Sequence, residues 1–97
     1  MSGQIRMSPA TMRERAGEFK REGGAFGDSI AKMKSLIGSL QSEWEGQAAQ
    51  KFAEQFDQLE PSFNKMKQLI EDIGSQLNAT ADAVEEMDRE ISKKFGV

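Results

Sequence analysis

The groups in this chain that come closest to a catalytic arrangement are two carboxylate pairs, Glu71-Asp72 and Glu85-Glu86. Carboxylates that share acid and base roles must converge on one point, with one of them raised in pKa by its surroundings. Neighbours in a helical sequence point in different directions instead, so each pair reads as a solvated helix face. The sequence also contains no His and no Cys. That removes the side chain that titrates near neutrality, the thiolate nucleophile, any disulfide framework and the usual zinc and iron ligand sets. No enzyme activity, cofactor, metal or small-molecule substrate is expected.

Charge narrows the field further. The net charge is −3 over 97 residues, which argues against nucleic acid, because phosphate binding draws on clustered Lys and Arg. Residues 1–42 carry seven basic against four acidic side chains, a net of +3, whereas residues 43–97 carry six against twelve, a net of −6. Opposite signs on two amphipathic halves favour their pairing with each other. Residues 1–12 lack the roughly 7–15-residue apolar run of a secretory signal, and nothing approaches the ~18 apolar residues of a membrane span. The chain is therefore expected either to stay in the cytosol or to leave by a route that reads the folded molecule.

The side chains left for function are those that make contacts rather than bonds: Trp44 in the middle of the chain, and Val84, Asp88, Ile91 and Phe95 near its end. The elements that position them follow from periodicity. Ser8-Pro9 is a helix start, since Ser caps orphan amides and Pro at the first helical position loses no needed donor. From there Met12, Ala16, Phe19, Gly23, Phe26, Ile30, Met33, Ile37, Leu40 and Trp44 alternate spacings of four and three, an unbroken heptad seam. The second half repeats it through Ala49, Phe52, Phe56, Leu59, Phe63, Met66, Ile70, Ile73, Leu77, Thr80, Val84, Met87 and Ile91.

The pattern predicts a single all-α domain over 1–97: a first helix over about 8–42, a bend at 43–46 and a second helix over about 47–94. The two helices form an antiparallel helix-turn-helix hairpin. Pro61 should bend the second helix without stopping it, because the seam keeps its phase from Leu59 to Phe63. Gly23-Gly24, with Gly27 nearby, leaves two outcomes open. The first helix breaks there and Asp28-Ser29 caps a third, or it continues, and these glycines with Gly17 let another helix approach closely or leave a yielding segment for a moving partner. Leu36, Leu69, Ala48 and Ala53 widen the apolar stripe beyond the seam, and one hairpin cannot cover it. Two hairpins side by side in an elongated four-helix bundle would, with Phe26, Leu36 and Leu69 as candidate interface residues.

Trp44-Glu45-Gly46 at the bend, the Ser8-Pro9 start, Phe52 and Phe56 opening the second helix, and Leu59-Glu60-Pro61 together resemble the WXG family. These are the small helical-hairpin substrates of the type VII secretion pathway of Gram-positive bacteria. The resemblance covers essentially the whole chain. It implies a protein made in the cytoplasm and secreted without a cleaved signal peptide, with a membrane-bound secretion ATPase as partner and a role in virulence or host interaction. It also implies an export signal near the end of the second helix, commonly Tyr followed four residues later by Asp or Glu. This chain has no Tyr. Val84, Asp88, Ile91 and Phe95 instead resemble the variant tail of members that form homodimers.

In an antiparallel dimer the tail of one hairpin lies beside Trp44 of the other, and the resemblance implies that the machinery reads this composite surface. The partner is the chain itself or a related WXG chain. Two other classes compete on the residues alone: a cytosolic coiled-coil adaptor, for which residues 84–97 would matter little, and a membrane-active amphipathic protein. The acidic net charge counts against the second of these.

Overall fold

The computed structural model describes residues 8–44 and 46–96, and all but a few of them are helical. Two helices, α1 (Pro9–Glu43) and α2 (Gln47–Lys94), run antiparallel. The molecule is a rod of 75 × 27 × 17 Å with a radius of gyration of 21.7 Å, against about 12.5 Å for a compact domain of this length.

Local chemistry sets the ends of both helices. The Ser8 hydroxyl accepts from the Thr11 amide at 3.2 Å and Pro9 takes the first helical position, so the orphan donors of α1 are met as a capped start requires. At the other end Trp44 leaves the helix with extended angles while its N–H still bonds the Leu40 carbonyl at 2.9 Å. Gly46 has φ 136° and serves as the N-cap of α2, a conformation that side-chain-bearing residues rarely adopt. The bend therefore depends on a glycine at this place. Pro61 lies inside α2 without ending it.

α1 is continuous through Gly23-Gly24, so the three-helix alternative is closed. The reason lies across the hairpin. A Cβ on Gly23 would stand 2.6 Å from Glu71 Cγ, and one on Gly27 would stand 2.6 Å from Lys67 Cε. The two glycines form recesses for long α2 side chains, and Lys67 and Glu71 are joined by an ion pair of 2.8 Å as they lie over them. At Gly74 it is backbone that approaches, with the Ala16 carbonyl oxygen 2.9 Å from the position of a Cβ. Gly24 and Gly38 have nothing within 4 Å; no contact within the hairpin explains them.

The seam expected from periodicity is partly corrected. Its residues do share one apolar surface, but only one heptad column of each helix points squarely at the other. On α1 this is Ala16, Gly23 and Ile30, all buried, continued by half-buried Ile37. On α2 it is Ala49, Phe56, Phe63, Ile70, Leu77 and Val84, ranging from buried to half-buried. The inner flank of α2 is not the expected Phe52 column but Ala53, Glu60, Lys67, Gly74 and Ala81, none of them fully exposed.

Candidate functional site

The rotation of α2 divides the hairpin into two unlike sides. One is polar: Arg13 donates to Asp82 at 2.8 Å and to Glu85, Lys34 reaches Glu60 at 3.3 Å, and Lys20 lies against Gly74. These contacts carry the charge asymmetry of the two halves across the hairpin. The Arg13 guanidinium is held above its ordinary pKa, first by its hydrogen bond to Glu85 and then by that to Asp82.

The other side is apolar and open. Phe52, Leu59, Met66, Ile73 and Met87 recur every seventh residue with only Thr80 intervening, and their exposure runs from 41% at Ile73 to 63% at Met87. Phe19, half-buried Phe26, Met33 and Leu40 form the matching column on α1. Leu36 and Leu69 stand further out, 65% and 58% exposed. Ala48 is exposed on this side, whereas Ala53 turns inward and is half-buried. Among the described residues the hairpin buries Ala16, Gly23, Ile30, Ala49, Phe56, Gly74 and Ala81. Five of these are Ala or Gly and carry little apolar surface to remove from water. Most of the large apolar side chains thus lie where a single copy leaves them wet.

At the bend the rings of Trp44 and Phe52 stack, with centroids 6.4 Å apart and planes 6° from parallel. Trp44 remains 52% exposed, and with Gln41, Gly46, Ala49 and Gln50 it lines a shallow hollow. Glu45 lies outside the described residues. At the opposite end α2 continues past its partner. The pairing of Arg13 with Asp82 and Glu85 sets the start of α1 opposite the last turns before Ile91, so the end of α2 projects beyond Pro9.

Val84 is therefore half-buried, while Asp88, Ile91 and Phe95 are exposed, Phe95 to 76%. Phe95 is the C-cap residue, its N–H bonded to the Ile91 carbonyl at 3.1 Å. Within one hairpin the end of α2 and Trp44 lie at opposite ends of the rod, so no single copy brings the two candidate surfaces together. Sequence reasoning missed that the Phe52 column faces outward. The small residues Ala53, Gly74 and Ala81, at heptad spacing on the other flank, were the available sign of where α1 packs.

A helical hairpin with exposed side chains at both ends and an open apolar face along its length is a small all-α protein. Among the described residues no helix is long and apolar enough to cross a membrane. The chain belongs to the WXG100 family, proteins of 100 residues with WXG, whose family model matches residues 4–89.

It is 39% identical over 93 residues to the type VII secretion system extracellular protein A of Staphylococcus aureus, covering 96% of each chain. Its fold is similar to that of the crystal structure of EsxA from Geobacillus thermodenitrificans, with a TM-score of 0.83 and 34% identity over 95% of this chain and 99% of that one. The secreted protein EsxB of Bacillus anthracis is similar at a TM-score of 0.79 and 27% identity, covering 89% of this chain and 98% of that one.

Proposed function

We propose that this chain is a non-enzymatic substrate of a type VII secretion system, made in the cytoplasm and exported without a cleaved signal peptide as a folded antiparallel homodimer. The observation that carries the dimer is the open apolar side. The chain exposes 7538 Å², whereas a compact monomer of its mass exposes about 5500 Å². A second hairpin laid along the Phe19 and Phe52 columns completes a four-helix bundle and covers Phe26, Leu36 and Leu69. Export is supported by the extracellular relative, which matches this chain over nearly its full length.

In the antiparallel dimer the projecting end of α2 from one copy comes beside Trp44 of the other. Val84 and Ile91 continue the central column of α2, while Asp88 and Phe95 lie on its flank. Together with Trp44, Glu45 and Gly46 of the second copy they form the surface read by a membrane-bound secretion ATPase. Neither a cofactor nor nucleic acid takes part.

The test is export of an obligate monomer. Leu36→Glu with Leu69→Glu places charge on the open side without touching the Ala16, Ile30 or Phe56 packing. The variant, shown to be helical and monomeric, is retained in cells while the parent chain reaches the medium. Equal export of the monomer overturns the reading.

A further inference from the structure

The open side of α2 is wider than its apolar column. Beyond Phe52, Leu59, Met66, Ile73 and Met87 lies a second heptad column of Ala48, Gln55, Ser62, Leu69, Gln76 and Ala83, exposed throughout and free of charge. Beyond that again runs a third, Lys51, Gln58, Lys65, Asp72, Ala79 and Glu86. Two adjacent uncharged columns bounded by a charged one are the core and edge of a helix-to-helix seam.

We propose that α2 of one copy packs antiparallel on α2 of the second, with the two-fold axis beside Met66 and Leu69, and that Lys65 with Asp72 and Lys51 with Glu86 pair between copies to fix the register. The inference rests on the homodimer reading above and specifies which helices meet, and where.

Antiparallel packing sets the first column of one helix against the second column of the other. With the axis at this place Phe52 meets Ala83, Met87 meets Ala48, Ile73 meets Ser62, Leu59 meets Gln76, and Met66 meets Leu69. Thr80 meets Gln55 in a polar layer; at the other layers away from the axis a bulky side chain faces a smaller or flexible one, the alternation that lets layers interdigitate. The axis falls about three residues before the midpoint of α2 (Gln47–Lys94), so the two helices overlap over residues 47–88 and the last turns of each reach past the other's Gln47 towards its Trp44.

The charged column decides the register. In an antiparallel pair the edge column faces its own copy. The proposed alignment sets Lys65 against Asp72 and Lys51 against Glu86 of the second copy, each contact occurring twice by symmetry. A slip of one heptad in one direction brings Lys65 onto Lys65, and in the other brings Asp72 onto Asp72. Among the described residues neither Lys51 nor Lys65 has an ion-pair partner within its own chain. Asp72 only accepts from the Gln68 amide at 2.9 Å, Glu86 accepts from Arg89 of its own turn at 2.8 Å and would share its carboxylate with Lys51, and all these groups are exposed.

The test exploits the symmetry. Lys65 and Asp72 are seven residues apart and do not meet within one chain, so Lys65→Asp and Asp72→Lys each turn both contacts between copies from attraction to repulsion. Each variant alone is expected to raise the dimer dissociation constant about tenfold or more, measured by analytical ultracentrifugation with helicity checked by circular dichroism. An equimolar mixture of the two restores association to the parent level, because every reversed contact then faces its complement.

The double variant Lys65→Asp with Asp72→Lys recovers it in the same way. A mixture no tighter than either variant alone overturns the register, as does a pair of single variants that associate like the parent. A parent chain that stays monomeric overturns the homodimer reading itself, and the register with it.

Discussion

A Cβ placed on Gly74 would stand 2.9 Å from the backbone carbonyl oxygen of Ala16, so at this point α1 and α2 touch through their main chains. Gly74→Ala must push the helices apart or bend one of them, and is expected to destabilise the hairpin by about 1–3 kcal/mol. Urea unfolding followed by circular dichroism at fixed protein concentration measures it; an unchanged midpoint would mean that the contact yields freely.

The opposite sign is expected at Gly24 and Gly38, which have open space where a Cβ would go. Alanine at either position removes the entropic cost of a helical glycine and should stabilise by up to about 1 kcal/mol. Loss of stability or of dimer formation at Gly24→Ala would reveal a close contact on the outer face of α1.

Trp44 is the only tryptophan, so its fluorescence reports on the bend directly. Phe52→Leu removes the stacked ring while keeping an apolar side chain, and should shift the emission to the red and lower stability by about 1 kcal/mol. Unaltered emission would show that the stack does not set the environment of the indole.

Arg13 gives a prediction in pH and salt. Its pKa is raised in the folded chain by Glu85 and then Asp82. A raised cation contributes stability that is fully present below its unfolded pKa and is lost only as pH rises through the folded one. The difference in melting temperature between the parent and Arg13→Gln should therefore be the same at neutral and mildly alkaline pH. Because the groups are exposed, that difference should shrink as salt is added. A difference that vanishes between neutral and mildly alkaline pH would contradict the clamp.

The hairpin was legible because two strict three-and-four patterns flank Trp44-Glu45-Gly46, and no strand produces that spacing. The capped start at Ser8-Pro9 was legible for the same local reason. Continuity of α1 through Gly23-Gly24 was not, because it is settled by Glu71 and Lys67, more than forty residues further along the sequence. The facing of α2 was also out of reach: Phe52 and Phe56 both belong to an apolar stripe, and hydropathy alone does not say which turns inward. That choice is made by Gly74 and Ala81, whose small size admits α1 on one flank and leaves the bulky column outside. The contact of Trp44 with Phe52 follows from the bend, whereas Asp88 and Phe95 are exposed in the single chain.

The central claim is that the end of α2 directs export of a folded assembly, and it is tested most directly by the chain ended after Ala83. Washed cells and culture medium of a host with an active type VII pathway are immunoblotted for the full and shortened chains, with a cytosolic marker to report lysis. The account predicts full-length protein in the medium and the shortened chain, shown to remain folded and dimeric, held in the cells. Export of both chains alike would contradict the tail as signal. Confinement of both to the cells would contradict export and leave a helical adaptor that never leaves the cytosol.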